Sequence, residues 1–349
     1  MTSVSFPANM LRTTGQRKIG QLACHPIGLG CMNLSHAYGH PPDEKYSIEL
    51  LNTALDMGYN MLDTAALYGF GANEQLVAKA VGHRRHDYLL ASKCGMFKGP
   101  DGKRAIDGRP QTIRKTCEDS LKRLHTDVID LYYLHRWDKN IPIEESVLEL
   151  SRLVDAGKIR EIGLSEVSAQ TLAKAHAVHP IAAVQSEYSL WTRNPEIAVL
   201  EQCETLNVAF VAFSPLGRGM LTGNITDPAT FSDNDIRHHM PRFQAAHFSY
   251  NLARVRELKQ LVADEVDISS TDDSLASVVL AWLLSRSDHI HVIPGTTRLT
   301  HLKENWMAAQ MTLSDKLLKK MDQLINQHTV SGPRYNPVTQ QEVDTEEFA

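Results

Sequence analysis

The chain has 349 residues, 42% hydrophobic and 22% charged, which excludes a disordered or low-complexity polypeptide and allows a large core. A net charge of −5 gives no basis for binding nucleic acid or an acidic membrane, and no apolar run reaches the about 18 residues of a transmembrane helix. Five scattered cysteines without a CxxC read as reduced thiols of a cytoplasmic protein, and the N-terminal MTSVSFPANMLRTTGQRK lacks the apolar stretch of a secretory signal.

Residues 1–25, with Gly15 and Gly20 between short mixed segments, suit a small hairpin ahead of the main fold. Beyond them two periods alternate. Short apolar runs fit buried strands at 25–32, 58–63, 87–93, 127–135, 158–165, 181–188, 207–215 and 289–295. Between them lie helical patterns. Residues 43–57 align Ile48, Leu51 and Leu55, and residues 110–124 align Ile113, Cys117, Leu121 and Leu124. Residues 143–156 align Ile143, Val147, Leu150 and Val154 ahead of a stop at Gly157. Another helix opens near Asn73, and two more are expected around 247–265 and 272–285.

Strands that are apolar throughout, rather than alternating, belong to a parallel sheet covered on both faces. Eight of them with intervening helices predict one (β/α)8 TIM barrel over residues 1–349, with the N-terminal hairpin as an addition. A doubly wound sheet would need GxGxxG after its first strand, and GLGCMN does not supply it. The extra length falls mainly in a long loop after strand seven (214–245) and a tail (330–349) whose acidic end is expected to be loosely held.

A barrel brings all strand C-terminal ends to one mouth. Asp63 ends the second run, Tyr68 follows on its loop, Lys93 ends the third run and His135 the fourth. Each alone is compatible with a structural role; four at successive strand ends converge on one pocket. They suit proton transfer to a carbonyl oxygen. A free tyrosine has a pKa of about 10; a neighbouring ammonium favours its phenolate and lowers that value, while a carboxylate keeps the lysine charged. The imidazole can orient the substrate oxygen. No HExxH or Cys/His cluster is present, the pair His238–His239 reads as solvated, and no metal is expected.

The segments LDTAALYG, LLASKCG and LYYLHRWD resemble the catalytic motifs of the aldo-keto reductase superfamily, and the likeness runs from about Thr14 to Asn326. GLSEVS, HPIAAVQSEYSLWTR, AFSPLGRGMLTG and IPGTTRLTHLKEN are similar to the bacterial and plant branch with auxin-induced-type and pyridoxal-reductase-like members. The resemblance implies Tyr68 as general acid, Asp63 and Lys93 as its tuning pair and His135 as the group that orients the carbonyl. It also implies NADPH across the mouth, since no side chain carries a hydride.

By the same resemblance Gly30, Cys31, Met32 and Asp63 border the cofactor, and Ser165, Glu166 and Gln185 hold its carboxamide. Phe213 stacks on the nicotinamide ring. The loop Ser214, Leu216, Gly217 and Arg218 straps the pyrophosphate, and Gly295, Thr296, Thr297, Arg298, His301, Glu304 and Asn305 take the adenosine and its 2′-phosphate. Three positions depart from the family's pattern. Glu166 replaces a common Asn and can accept hydrogen bonds but not donate them. Gly295 and His301 stand where well-known members carry lysine and arginine, which leaves the phosphate mainly to Arg298, with Lys303 a second candidate.

The expected reaction is reversible reduction of an aldehyde or ketone. A redox-sensing subunit with little turnover, and alcohol oxidation in the cell, are the alternatives. Loop aromatics Tyr38, Phe97, Trp137 and Trp191 are expected to line a substrate pocket for sizeable, partly apolar carbonyl compounds rather than small charged ones, helped by Met32, Met96, Phe231 and Phe243. Arg136 and Arg193 are the nearby cations, and no carboxylate clamp is evident from them.

Overall fold

Strands that are apolar on both faces need two covering layers, and here closure of the sheet covers the inner face and helices cover the outer one. The computed structural model describes residues 15–99, 102, 104–266 and 274–348. Eight parallel strands follow one another in chain order: β1 (Leu29–Gly30), β2 (Met61–Asp63), β3 (Leu89–Cys94), β4 (Ile129–Leu134), β5 (Ile159–Ser165), β6 (Ala183–Glu187), β7 (Ala209–Phe213) and β8 (Ile290–Val292). Parallel bridges Ile27↔Val292 and Gly30↔Gly295 join the last strand to the first, and the result is a (β/α)8 barrel. The join is close: a Cβ on Gly30 would lie 2.8 Å from the Ile293 carbonyl oxygen.

The outer layer begins with α1 (Glu44–Met57), α2 (Ala72–Val81), α3 (Pro110–Leu124), α4 (Ile143–Asp155), α5 (Ala169–Val178) and α6 (Val199–Thr205). It continues with α7 (Ala245–Glu265), α8 (Leu275–Leu284), α9 (Leu299–Met307), α10 (Asp315–Leu324) and α11 (Pro337–Gln340). Local chemistry sets several boundaries. Asp43, Ser168, Ser274 and Ser314 accept first-turn N–H groups, Pro110 opens α3, and left-handed Gly58 closes α1. The helix expected over 272–285 is α8, with residues 272 and 273 outside the described residues. Among the described residues no helix is long and apolar enough to cross a membrane.

Alternation within the strands builds two cores. Met61, Leu89, Ala91, Leu131, Tyr133, Ala183 and Val211 fill the barrel, and Ile19 and Cys24 of the hairpin Arg17–Ile19/Leu22–Cys24 pack with them as a plug. The neighbouring residues Leu62, Leu90, Tyr132 and Leu134 face the helices. All five cysteines are buried free thiols.

The tail differs from its expectation. Lys139 Nζ donates to the carbonyls of Gln341 and Val343, the Asp344 carboxylate accepts from Ser168 N at 3.1 Å, and Glu346 accepts from Ala169 N at 2.7 Å. These bonds run the tail over the strand ends. An acidic composition suggested a loose end; here the acids cap the free N–H groups at the start of α5.

Inside the barrel the Tyr133 ring lies against Gly163 of β5, where an added Cβ would meet ring carbons at 2.3 and 2.4 Å. Gly163→Ala therefore overpacks a closed layer, and we expect it to cost about 1–3 kcal/mol. Urea unfolding monitored by circular dichroism would check this; a midpoint equal to the parent's would contradict the packing described.

Candidate active site

The mouth is built around one ammonium group. Lys93, near the end of β3, is wholly buried. Its Nζ pairs with Asp63 Oδ1 at the end of β2 and donates to Thr64 O at 2.9 Å and to Tyr68 Oη at 3.1 Å. Three N–H groups thus meet three acceptors, which is the full capacity of an ammonium. The second carboxylate oxygen of Asp63 accepts from Gln185 Nε2 of β6 at 2.7 Å. Tyr68 reaches the lysine from a turn in which Gly69, Phe70 and Gly71 all have positive φ.

His135, just past β4, stands edge-on to Tyr68 with ring centroids 5.9 Å apart, and its buried Nδ1 has no hydrogen-bond partner. On the other side the His36 ring stacks 6.3 Å from Tyr68. Burial holds the His135 imidazole well below its ordinary pKa, and the charges of Lys93, Arg136 and Arg104 add to this. It is neutral at physiological pH. Burial would also lower the Lys93 pKa, but Asp63 and Tyr68 outweigh it and the amine is held above its usual value.

For Tyr68 the balance is opposite to the sequence expectation. Burial pushes the phenol up, and Lys93 offsets only part of that shift. The reason is desolvation: a phenolate in this enclosed position loses more hydration than one ammonium, itself shared with Asp63, restores. Tyr68 therefore carries its proton. Because its oxygen accepts from Lys93, the O–H remains available for another acceptor.

These groups open onto a cavity of about 1400 Å³. From the expected cofactor set, Gly30, Met32, Asp63, Ser165, Gln185, Phe213, Ser214, Leu216, Arg218, Gly295, Thr296, Thr297, Arg298, His301, Glu304 and Asn305 lie on its wall. Two features suit a phosphorylated ligand. Ser214, Gly217, Arg218 and Gly219 all have positive φ, a tight loop closed by Gly217 N to Ser214 O and Gly219 N to Leu216 O that sets the Arg218 guanidinium on the wall. Arg298, exposed, occupies the N-cap position of α9 with no side-chain bond to the helix, whose first turn therefore has no side-chain cap.

A family model, the aldo/keto reductase family, matches residues 26–326. The chain belongs to the aldo/keto reductase family. It is 40% identical over 328 residues to aldo-keto reductase yakc, NADP(+), of Schizosaccharomyces pombe, covering 92% of this chain and 94% of that one. It is 39% identical over 312 residues to the probable aldo-keto reductase 1 of Glycine max, with 88% of each covered. Among solved structures, a glycerol dehydrogenase from Gluconobacter oxydans superposes with a TM-score of 0.78 at 29% identity, covering 93% of this chain and 98% of that one.

Within this aldo/keto reductase several expected residues lie elsewhere. Cys31, Glu166 and Gly217 are not on the cavity wall. Glu166, at a positive φ, accepts from Glu187 N at 2.9 Å and pairs with Arg334 of the tail. Glu187 takes Arg218 Nη2 at 2.7 Å and Arg334 Nε at 3.2 Å. Burial would raise the Glu187 carboxyl, but Arg218 and Arg334 prevail and hold it at about 2. Arg218 thus faces the cavity while paired with a carboxylate, and the Tyr335 hydroxyl lies 3.2 Å from its Nη2.

Of the expected substrate-side aromatics only Tyr38 lines the cavity; Phe97, Trp137 and Trp191 do not. Trp137 donates to Ile141 O at 2.8 Å, and the Trp191 ring packs 5.6 Å from Phe243. Arg193 is tied to Glu196 and Asp322 and is also absent from the wall. The wall instead includes His36, Arg104, Arg136 and Arg237, and from the tail Tyr335, Asn336, Thr339 and Glu342. One signal for the tail was in the sequence: Glu166 and Glu187, near two neighbouring strand ends, require buried cations, and Arg334 stands in the last turn-rich segment.

The buried histidines dictate a pH response. His135 is neutral when folded, and burial sets His25 at about 4 and His291 at about 3. In the unfolded chain each takes up a proton below about pH 6.5. The unfolded state then binds more protons, so stability falls on acidification from pH 6.5 and the loss levels off only below the folded values. Between pH 7.5 and 5.5 the three should remove roughly 2–4 kcal/mol. Denaturant midpoints across that range would check it, and a rising midpoint on acidification would contradict the neutral assignment.

Proposed function

We propose that this chain reduces an aldehyde or ketone to the alcohol with NADPH, reversibly, and that Tyr68 supplies the proton. The observation that carries this reading is the 3.1 Å bond from Lys93 Nζ to Tyr68 Oη, on a buried pair with Asp63 at the cavity floor. The name of the Schizosaccharomyces pombe relative, which includes NADP(+), supports the choice of cofactor. When bound, the cofactor supplies a hydride to the carbonyl carbon.

The chain's own residues do the rest. His135, kept neutral, donates one N–H to the carbonyl oxygen and fixes its direction toward Tyr68. As negative charge develops on that oxygen, Tyr68 passes its proton to it. The phenolate left behind is stabilised by Lys93, which already donates to that oxygen, and Asp63 keeps the lysine in place. Microscopic reversibility assigns the same groups to alcohol oxidation, with Tyr68 then accepting the proton.

Ser165 and Gln185 would hold the carboxamide, and Phe213 would stack beside it. The tight loop Ser214–Gly219 would carry the pyrophosphate, and Arg298 with the first turn of α9 the 2′-phosphate. Gln185 is well prepared for this, because its bond to Asp63 fixes the amide before any ligand arrives. Glu166 acts as the anchor of the tail in this reading, which removes the need for a carboxylate to imitate an amide.

Tyr68→Phe keeps the ring and removes the transferable proton. We expect kcat to fall by about 10²–10⁴ with NADPH affinity little changed. Steady-state assays with an aryl aldehyde, paired with fluorescence titration of NADPH, test this; retention of most activity would overturn the role of Tyr68.

Arg298→Ala should weaken NADPH binding by about 10- to 100-fold and NADH binding far less, since only NADPH brings the phosphate dianion. Equal losses for the two nucleotides would move the 2′-phosphate to another part of the cavity.

A further inference from the structure

The cations on the cavity wall are compensated unequally. Arg104 is paired with Glu342, Arg218 with Glu187 and Arg237 with Asp235, while Lys259 and Arg298 are in no ion pair among the described residues but are exposed to water. Arg136, next to His135, has no carboxylate partner among the described residues. Its Nη1 donates to His135 O at 2.7 Å and to Ser165 Oγ at 3.3 Å, both neutral acceptors, and its Nε is buried with no partner at all. The residue is half-buried, but a guanidinium whose Nε is shut off from water with no partner, and which has no carboxylate beside it, is an unusual arrangement, since such groups are ordinarily paired. Its position is informative too. Ser165 Oγ and the His135 backbone tie it between the ends of β4 and β5, beside the groups that would receive the carbonyl.

The surroundings reinforce the sign. His36, Arg104 and Arg136 gather on the Tyr68 side of the cavity, and Arg136 acts on both Tyr68 and His135 through its charge. Asp63 is neutralised by Lys93, and Glu342 by Arg104. The apolar rings expected to dominate this wall, Phe97, Trp137 and Trp191, are absent from it.

We propose that Arg136 is a specificity-determining residue and that the preferred substrates are carbonyl compounds bearing an anionic group, a carboxylate or a phosphate, which supplies its missing counter-charge. This rests on the carbonyl-reductase reading above and deepens it. The anion docks on the part of the guanidinium left free by His135 and Ser165, and the carbonyl is thereby aligned under Tyr68. A planar fork matches two oxygens of a carboxylate or phosphate, which a lysine at the same place would not reproduce. The chemistry of reduction is unchanged: the anion takes no part in bond making.

The test compares 4-carboxybenzaldehyde and 4-formylphenyl phosphate with neutral 4-methylbenzaldehyde, at saturating NADPH, in the parent, Arg136→Met and Arg136→Lys. In the parent at least one anionic aldehyde should show the higher kcat/KM, and the preference should shrink with added salt. Which of the two leads identifies carboxylate or phosphate. In Arg136→Met the ratio of anionic to neutral kcat/KM should fall by about 10- to 100-fold, with Arg136→Lys intermediate. Calorimetry on the NADP(+) complex adds a readout that needs no turnover: 4-(hydroxymethyl)benzoate should bind more tightly than 4-methylbenzyl alcohol, and Arg136→Met should remove the difference. A parent that prefers the neutral aldehyde and the neutral alcohol, or a ratio unchanged in Arg136→Met, overturns the proposal. Equal losses for all aldehydes with a raised KM for NADPH also overturn it, by assigning Arg136 to the cofactor. If no aldehyde oxidises NADPH, the reductase reading fails, while the calorimetric comparison still decides whether Arg136 selects anions.

Discussion

The mouth of this barrel depends on a buried charge pair. Removing an ammonium and a carboxylate from water costs several kcal/mol per ion, and attraction between them compensates only if every remaining proton and lone pair is placed. Lys93 and Asp63 meet that condition through Thr64 O, Tyr68 Oη and Gln185 Nε2. The consequence is geometric as much as energetic. The pair locks the ends of β2, β3 and β6 and the Tyr68 turn into one arrangement before any ligand is present. It also fixes the hydrogen bonding at Tyr68, whose oxygen accepts from lysine and whose O–H stays available to another acceptor.

A second buried network performs a similar service a few strands away. Glu166 and Glu187 lie at the ends of β5 and β6, and Arg218 and Arg334 come from the loop after β7 and from the tail. Two acids and two guanidiniums compensate one another, so the network is close to neutral although none of its members is well hydrated. Its effect is to bring the tail across the cavity, with Tyr335, Asn336, Thr339 and Glu342 on the wall. Arg242, away from the cavity wall, also has only neutral hydrogen-bond partners; Arg136 has the same feature on the wall itself, and that position gives it its interest.

Environment rather than neighbourhood decides protonation here. A lysine beside a tyrosine suggests a depressed phenol pKa, yet burial prevails and Tyr68 is held above its ordinary value. The same desolvation acts on His135 in the opposite charge sense and leaves it neutral. Both states fit the proposed roles: a protonated phenol can give its proton, and a neutral imidazole can donate a hydrogen bond without competing as an acid.

The sequence by itself determined the barrel, the hairpin before it, and the four groups Asp63, Tyr68, Lys93 and His135 as a set. These were legible because they depend on local information. Apolar runs of strand length fix the sheet, a parallel barrel puts every strand's C-terminal end at one mouth, and a residue's place at a strand end is read from the run itself. Only the tertiary structure decided which loop side chains face the cavity. Trp137 and Trp191 are as aromatic as Tyr38, but each found packing or hydrogen-bond partners away from the cavity. Glu166 could be matched to a family position, but its partner Arg334 lies 168 residues further along. The order of the tail and the isolation of Arg136 have the same origin. They follow from which charges meet in a desolvated space, and no local pattern of residues records that meeting.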